Sequence, residues 1–234
     1  MKILLLLLLA FTAAGQSVSD DFNRSDAAIT TPWVAASGTW RVSSNRLLSA
    51  SALNNQYLAG WILIHGTNQY SDVAVQAKVY RPPVSERTTG MVLRYINSGG
   101  NLSFYVGWIR KRGATADEWR ISRYEGTLTR GTFTTLATGT SSFTDGTTVQ
   151  FQAQGTALGL SYWTGSAWSL VTSVTDSRLT SGYVGLRAND QQAYFDDFAA
   201  SGSSGSGPPS GGGFLTANRT VITDSSGFLT VATG

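Results

Sequence analysis

The side chains most able to do acid–base chemistry are few: the glutamates Glu86, Glu118 and Glu125, and one histidine, His65. Cleaving a glycosidic bond takes two carboxyl groups converging from about 5–10 Å apart. Asp117 and Glu118 are neighbours in sequence, and neighbours on a strand point to opposite faces, so they do not form such a pair. Glu86 follows Pro82-Pro83 in a loop, and Glu125 stands at the far end of its strand. His65 reads as part of a turn, His65-Gly66-Thr67, with no Gly-x-Ser-x-Gly nucleophile elbow to serve. Zinc would need further nitrogen or sulfur ligands, and the chain has no cysteine. These residue types point to a protein that is not an enzyme.

Composition narrows the classes further. Net charge is +3, but only 13% of residues are charged, and the one dense basic run, Arg110-Lys111-Arg112, reads as a hairpin tip. A phosphate-tracking surface needs more than that, so no nucleic-acid partner is expected. Residues 1–15 read as a signal peptide: Lys2, an apolar run with six leucines from Leu4 to Leu9, then small residues up to Gly15. The run is too short to span a bilayer, so the expectation is a secreted or surface protein with no membrane attachment after cleavage. Zero cysteines exclude a disulfide framework, leaving stability to the 41% of residues that are hydrophobic.

The elements that must position any site are strands. Short runs rich in Val, Thr, Tyr, Trp and Phe alternate with Gly, Asn, Asp and Ser turns, at 70–80, 90–97, 102–111, 118–125, 147–153, 157–163, 168–174, 182–187 and 193–199, with shorter runs at 39–43 and 46–49. No helical period is sustained, so the fold class is all-β, an antiparallel two-sheet sandwich or jelly roll over residues 16–200. Alternation in three successive strands places Arg94, Tyr105, Arg120 and Tyr124 on one outward face. Arginine donors hold hydroxyls and aromatic rings stack on sugar C–H surfaces, so these four are the candidate ligand-binding residues for a glycan or polysaccharide. Trp40, Trp108 and Trp119 fit inward positions, whereas Trp163 and Trp168 flank a turn and are free to meet a ligand. Residues 201–213 form a Gly/Ser/Pro linker. Residues 214–234 repeat Phe-Leu-Thr, are strand-prone and are too short for a core, so they read as an assembly tail able to support a homo-oligomer.

Asp20-Asp21-Phe22-Asn23-Arg24, Ser37-Gly38-Thr39-Trp40, Tyr70-Ser71-Asp72-Val73, Thr89-Gly90-Met91-Val92-Leu93-Arg94-Tyr95, Glu118-Trp119-Arg120-Ile121, Ser181-Gly182-Tyr183-Val184-Gly185-Leu186-Arg187 and Phe195-Asp196-Asp197-Phe198 follow one another in an order that resembles the concanavalin A-like (laminin G-like) jelly-roll superfamily, over residues 19–200. The resemblance implies two curved sheets and a lectin-like, non-catalytic carbohydrate-binding module. Glycoside hydrolases of this fold form an alternative, but the carboxylates they set at alternate positions of one strand have no counterpart here. The resemblance also implies side-by-side terminal strands, which would gather Asp20, Asp21, Asp196 and Asp197 as oxygen donors for one structural Ca2+. The tail is similar to segments of phage tail fibres, which implies a second alternative: a structural or host-adhesion part of a virion appendage.

Overall fold

A computed structural model describes residues 15–50, 58–80, 88–110, 116–189, 193–204, 221–223 and 229–231. Alternating apolar residues and glycine-centred turns give fifteen strands in one connected antiparallel system, with no helix among the described residues. In chain order they are β1 Gln16–Asp20, β2 Ala27–Ala28, β3 Trp33–Ala35, β4 Trp40–Val42, β5 Leu47–Ser49, β6 Trp61–Tyr80, β7 Thr88–Ser98 and β8 Asn101–Arg110. There follow β9 Asp117–Gly126, β10 Gly131–Ser141, β11 Thr147–Gln154, β12 Ala157–Trp163, β13 Trp168–Thr175, β14 Gly182–Ala188 and β15 Tyr194–Ser204. The tail contributes a separate hairpin, β16 Val221–Thr223 paired with β17 Leu229–Val231.

The long strand β6 makes two sheets out of one. Its first half pairs with β14 and β3, within the order β10–β9–β8–β7–β14–β6–β3. Its second half pairs with β11 and β15, within the order β13–β12–β11–β6–β15–β1. The two sheets pack face to face over one core, where Met91, Leu93, Tyr105, Ile109 and Ile121 of the first meet Val75, Val149, Phe151, Leu158 and Leu160 of the second. Gly107 marks the closest approach: a Cβ there would fall 2.8 Å from the Phe151 ring. The chain is thus an all-β, antiparallel jelly-roll sandwich.

Three sequence expectations shift. The strand run expected at 70–80 begins nine residues earlier, at Trp61, and β1, β2, β3 and β10 are additional strands. The last strand runs through Ser204, four residues into the segment read as linker. Ser201 and Gly202 sit between β1 and β6, and a Cβ at Gly202 would fall 1.9 Å from the Asp72 carbonyl oxygen. Small residues are therefore needed there, and their composition imitates a linker. Residues 1–14 and 205–213 lie outside the described residues.

His65 is the third shift. It is a β6 strand residue, 4% exposed, with its ring edge-on to Trp33 and stacked on Phe198, and Nδ1 3.0 Å from Thr67 Oγ1. Burial pushes its pKa down to about 4, against a smaller opposite pull from the Asp20 carboxylate. Below about pH 6.5 the unfolded chain therefore binds a proton that the folded one refuses. Stability from this group is full above pH 6.5 and falls as pH drops toward 4, by about 3 kcal/mol in all. Urea titrations at pH 7 and pH 5 are expected to show about 2 kcal/mol of that loss in the wild type and a flatter response in His65→Asn; equal pH dependence in both would contradict the assignment.

Candidate functional site

The outer face of the first sheet is built from the even-numbered residues of β8 and β9 and their neighbours. Much of it is closed by a second apolar cluster, in which Ile62, Ile64, Val92, Phe104, Val106 and Tyr124 are buried. Arg187 lies within it, 5% exposed, with Nε donating to the Ala59 carbonyl oxygen at 2.6 Å and its guanidinium 5.0 Å over the Phe133 ring. Burial lowers the Arg187 pKa to about 10, so it stays charged at neutral pH.

Toward the other end of β8 and β9 the same face turns polar. Register places Arg110 opposite Glu118 and Trp108 opposite Arg120. Arg110 Nε donates to Glu118 Oε2 at 3.1 Å, and Arg120 Nη2 donates to Oε1 at 2.7 Å, so the carboxylate sits between two guanidinium groups. The Arg120 guanidinium lies 4.8 Å over the Trp108 ring, and the indole is a platform for the arginine. Gly90, beside Trp108 on β7, leaves room for that ring, since a Cβ would fall 2.7 Å from Trp108 Cβ. Burial pushes the Glu118 pKa up, but the hydrogen bonds from Arg120 and Arg110 outweigh it and hold the carboxyl below its usual 4.5. Arg120 Nε is buried and has no hydrogen-bond partner. That N–H is shut off from solvent, so a ligand would reach the guanidinium through the exposed part of a side chain that is 32% exposed overall.

Of the four residues expected on one ligand-binding face, only Arg120 belongs to this cluster. Arg94 is 1% exposed and clamps the end of the sandwich. Its Nε and Nη2 donate to Ser71 O at 2.8 and 2.6 Å, Nη1 to Leu179 O at 2.7 Å, and Nη2 also to Gly155 O at 2.9 Å. Register shifts in β7 and β14 at this point, and the positive φ of 52° at Arg94, turn its side chain away from the pleat. Tyr105 is fully buried on the core side of β8, and its hydroxyl donates to Asp176 Oδ1 at 2.5 Å. Tyr124 lies on the outer face but is also fully buried, with its hydroxyl on the Thr127 carbonyl oxygen. Trp108, Arg110 and Glu118 replace these three; the signal for them was the Glu-x-Arg of β9 set against the Trp-x-Arg of β8.

The calcium set does not form. The terminal strands do pair, with Asp20 opposite Phe198. However, both Asp20 oxygens are taken: Arg24 donates to each, the Trp33 indole to Oδ2 at 2.8 Å and the Phe22 N–H to Oδ1 at 2.8 Å. Asp21 caps Asn23, Asp197 pairs with Lys78 at 2.5 Å, and Asp196 accepts from the Asp197 N–H. A cation would have to displace Arg24 and Lys78, and no metal-competent group of three or more His, Asp or Glu side chains occurs among the described residues. An open cleft of about 530 Å3 lies between Arg123, Thr156, Thr175, Asp176, Ser177 and Arg178. Its charges already neutralise one another through Arg123–Asp176 and Arg178–Glu125 pairs.

No family model and no curated protein matches the chain in sequence. Solved structures do match in shape. A legume lectin-like domain from Entamoeba histolytica aligns over 76% of this chain and 97% of its own, at 10% identity and a TM-score of 0.52. The chain has the concanavalin A-like jelly-roll fold. A xylan β-1,4-xylosidase from Bacillus halodurans C-125 aligns over 78% of this chain, at 15% identity and a TM-score of 0.52. The GH43B protein of a Bacteroides ovatus xyloglucan PUL aligns over 79%, at 16% identity and a TM-score of 0.51. In each of these two, the jelly roll matches 38% of the longer chain.

Proposed function

We propose that this jelly roll is a non-catalytic carbohydrate-binding module of an exported protein, and that it grips its glycan at Arg120, Glu118 and Arg110. The observation that carries the reading is a pair of partly exposed guanidinium groups, Arg120 and Arg110, on either side of a carboxylate that is held charged. Guanidinium donors and a carboxylate acceptor side by side match neighbouring sugar hydroxyls, each of which donates and accepts. Support from shape is at the level of the fold: the neighbours include a lectin-like domain and glycosidases in which a similar sandwich makes up part of the chain. Export rests on the leader read in residues 1–15.

A hydrolase is disfavoured by the same cluster. A general acid needs a raised pKa, and Glu118 is held low by two arginines. Asp117, its neighbour, turns the other way and accepts the Phe143 N–H at 3.2 Å. A glycan array probed with the whole protein tests the reading: at least one glycan should be retained by the wild type, and no reducing sugar released from it. Retention of none would overturn the binding assignment, and turnover lost in Glu118→Gln would restore the enzyme.

The β16–β17 hairpin favours a second role, as an assembly element of a surface or virion appendage. Val221 pairs with Val231 in a two-stranded sheet of its own, and a lone two-stranded hairpin is marginal in water. Sedimentation of the protein and of a variant ending at Ser204 is expected to show an oligomer reduced to a monomer, with the midpoint of thermal unfolding of the sandwich little changed. A full chain that sediments as a monomer would remove this role.

A further inference from the structure

The second sheet presents an outer face of different character from the first. Core-facing residues alternate along β6, β11 and β12, as Val73, Val75 and Ala77, Val149, Phe151 and Ala153, and Leu158 and Leu160. The residues between them face out and align in register. Gln76, Gln150, Ser161 and Leu170 form one row across β6, β11, β12 and β13; Ala74, Gln152, Gly159 and Ser173 form the next. Neither row contains a charged side chain. Gln76 is 4% exposed and Ser161 7%, so the reachable amides are those of the half-buried Gln150 and Gln152, which no side-chain hydrogen bond claims among the described residues. Gly159 gives the Gln152 amide space, since a Cβ there would fall 3.2 Å from Nε2.

A third row, beside the first, ends in aromatic rings. Trp163 and Trp168 oppose each other where β12 turns into β13, with centroids 5.5 Å apart and planes at 66°. Both are half-buried, and Leu170, one step along the same face, is 61% exposed. Cross-strand tryptophans also brace a hairpin, and that alone would explain their contact. It does not explain why they border an array of unclaimed amides. We infer that this face is a second glycan site, independent of the Arg120 cluster, and that it takes a neutral, extended polysaccharide chain. Amides supply donors and acceptors together, and indoles offer flat apolar surface to sugar C–H groups. The cation in the third row, Lys78, is already paired with Asp197, which gives an anionic polymer little advantage. Six adjacent strands, β13 to β1, span roughly 24 Å, a track for a chain of several sugars.

Affinity electrophoresis of the whole protein in gels containing xyloglucan, galactomannan or hydroxyethylcellulose, with polygalacturonate as the anionic control, tests the assignment. The variants are Trp163→Ala/Trp168→Ala, Gln150→Ala/Gln152→Ala and Arg120→Ala. The expected result is retardation by a neutral polymer, at least tenfold weaker in the tryptophan variant, severalfold weaker in the glutamine variant and persisting in Arg120→Ala. The glutamine pair guards against a tryptophan variant that merely loosens its hairpin. No retardation by any neutral polymer, or retardation that both the tryptophan and the glutamine variants keep in full, would overturn the second site. Retardation lost in Arg120→Ala alone would overturn it too while leaving the first site standing.

Discussion

Arg94→Ala should lower the stability of the sandwich by about 3 kcal/mol or more, and do so without any ligand present. The guanidinium is 1% exposed and donates to the carbonyl oxygens of Ser71, Leu179 and Gly155, which belong to three separate segments of the chain. Removing it leaves those buried acceptors unpaired and opens a void where the segments meet. For a domain of this size, the thermal midpoint should drop by roughly 6–12 °C. Arg94→Lys should recover only part of the loss, because one ammonium cannot reach three carbonyls in the planar geometry of a guanidinium. An unchanged midpoint together with lost glycan binding would return Arg94 to the ligand-binding role its sequence suggested.

Arg120→Ala should weaken glycan binding by tenfold or more while moving the thermal midpoint little. Its guanidinium belongs to the most exposed charged side chain of the cluster, and losing a charged partner in a desolvated polar contact costs about 2–5 kcal/mol. Glu118→Gln should weaken binding as well, because a neutral amide no longer accepts strongly on both oxygens. The pH dependence follows from the direction of the Glu118 shift. Its carboxyl is held below 4.5, so it stays charged through the physiological range, and binding should be level above about pH 5 and fall only as the group protonates below its usual value. Isothermal titration across pH 4–8 checks both variants. A steep loss of wild-type binding between pH 7 and 6 would show that Glu118 is not the acceptor.

The all-β class and the order of most strands were legible because alternation and turn residues are local signals. The candidate site was less so, and β8 shows why. Leu102, Phe104, Val106 and Trp108 are apolar on one face, and Tyr105 and Ile109 are buried on the other, so a period of two fixes the alternation but not which face is the core. Tyr105 was thereby set on the wrong side. In β9 one face carries Ile121 and the other Arg120 and Ser122, so Arg120 could be placed outward. Arg94 was misplaced by a bulge that no sequence pattern announces, and Ser201 to Ser204 by a tight strand whose glycine and serines look like a linker. The Asp-Asp-Phe repeats do lie at paired terminal strands, but their carboxylates form no shared group among the described residues, and the cations beside them, Arg24 and Lys78, were not legible as partners.

The Arg120 Nε–H resonance, followed by proton–nitrogen correlation while a glycan retained on the array is titrated in, tests the central assignment at the side chain that carries it. The expected result is a shift of that resonance that saturates with the binding isotherm, as a bound sugar changes the surroundings of the guanidinium. Saturating binding that leaves the Arg120 Nε–H signal unmoved, while resonances elsewhere in the sandwich respond, would contradict the account.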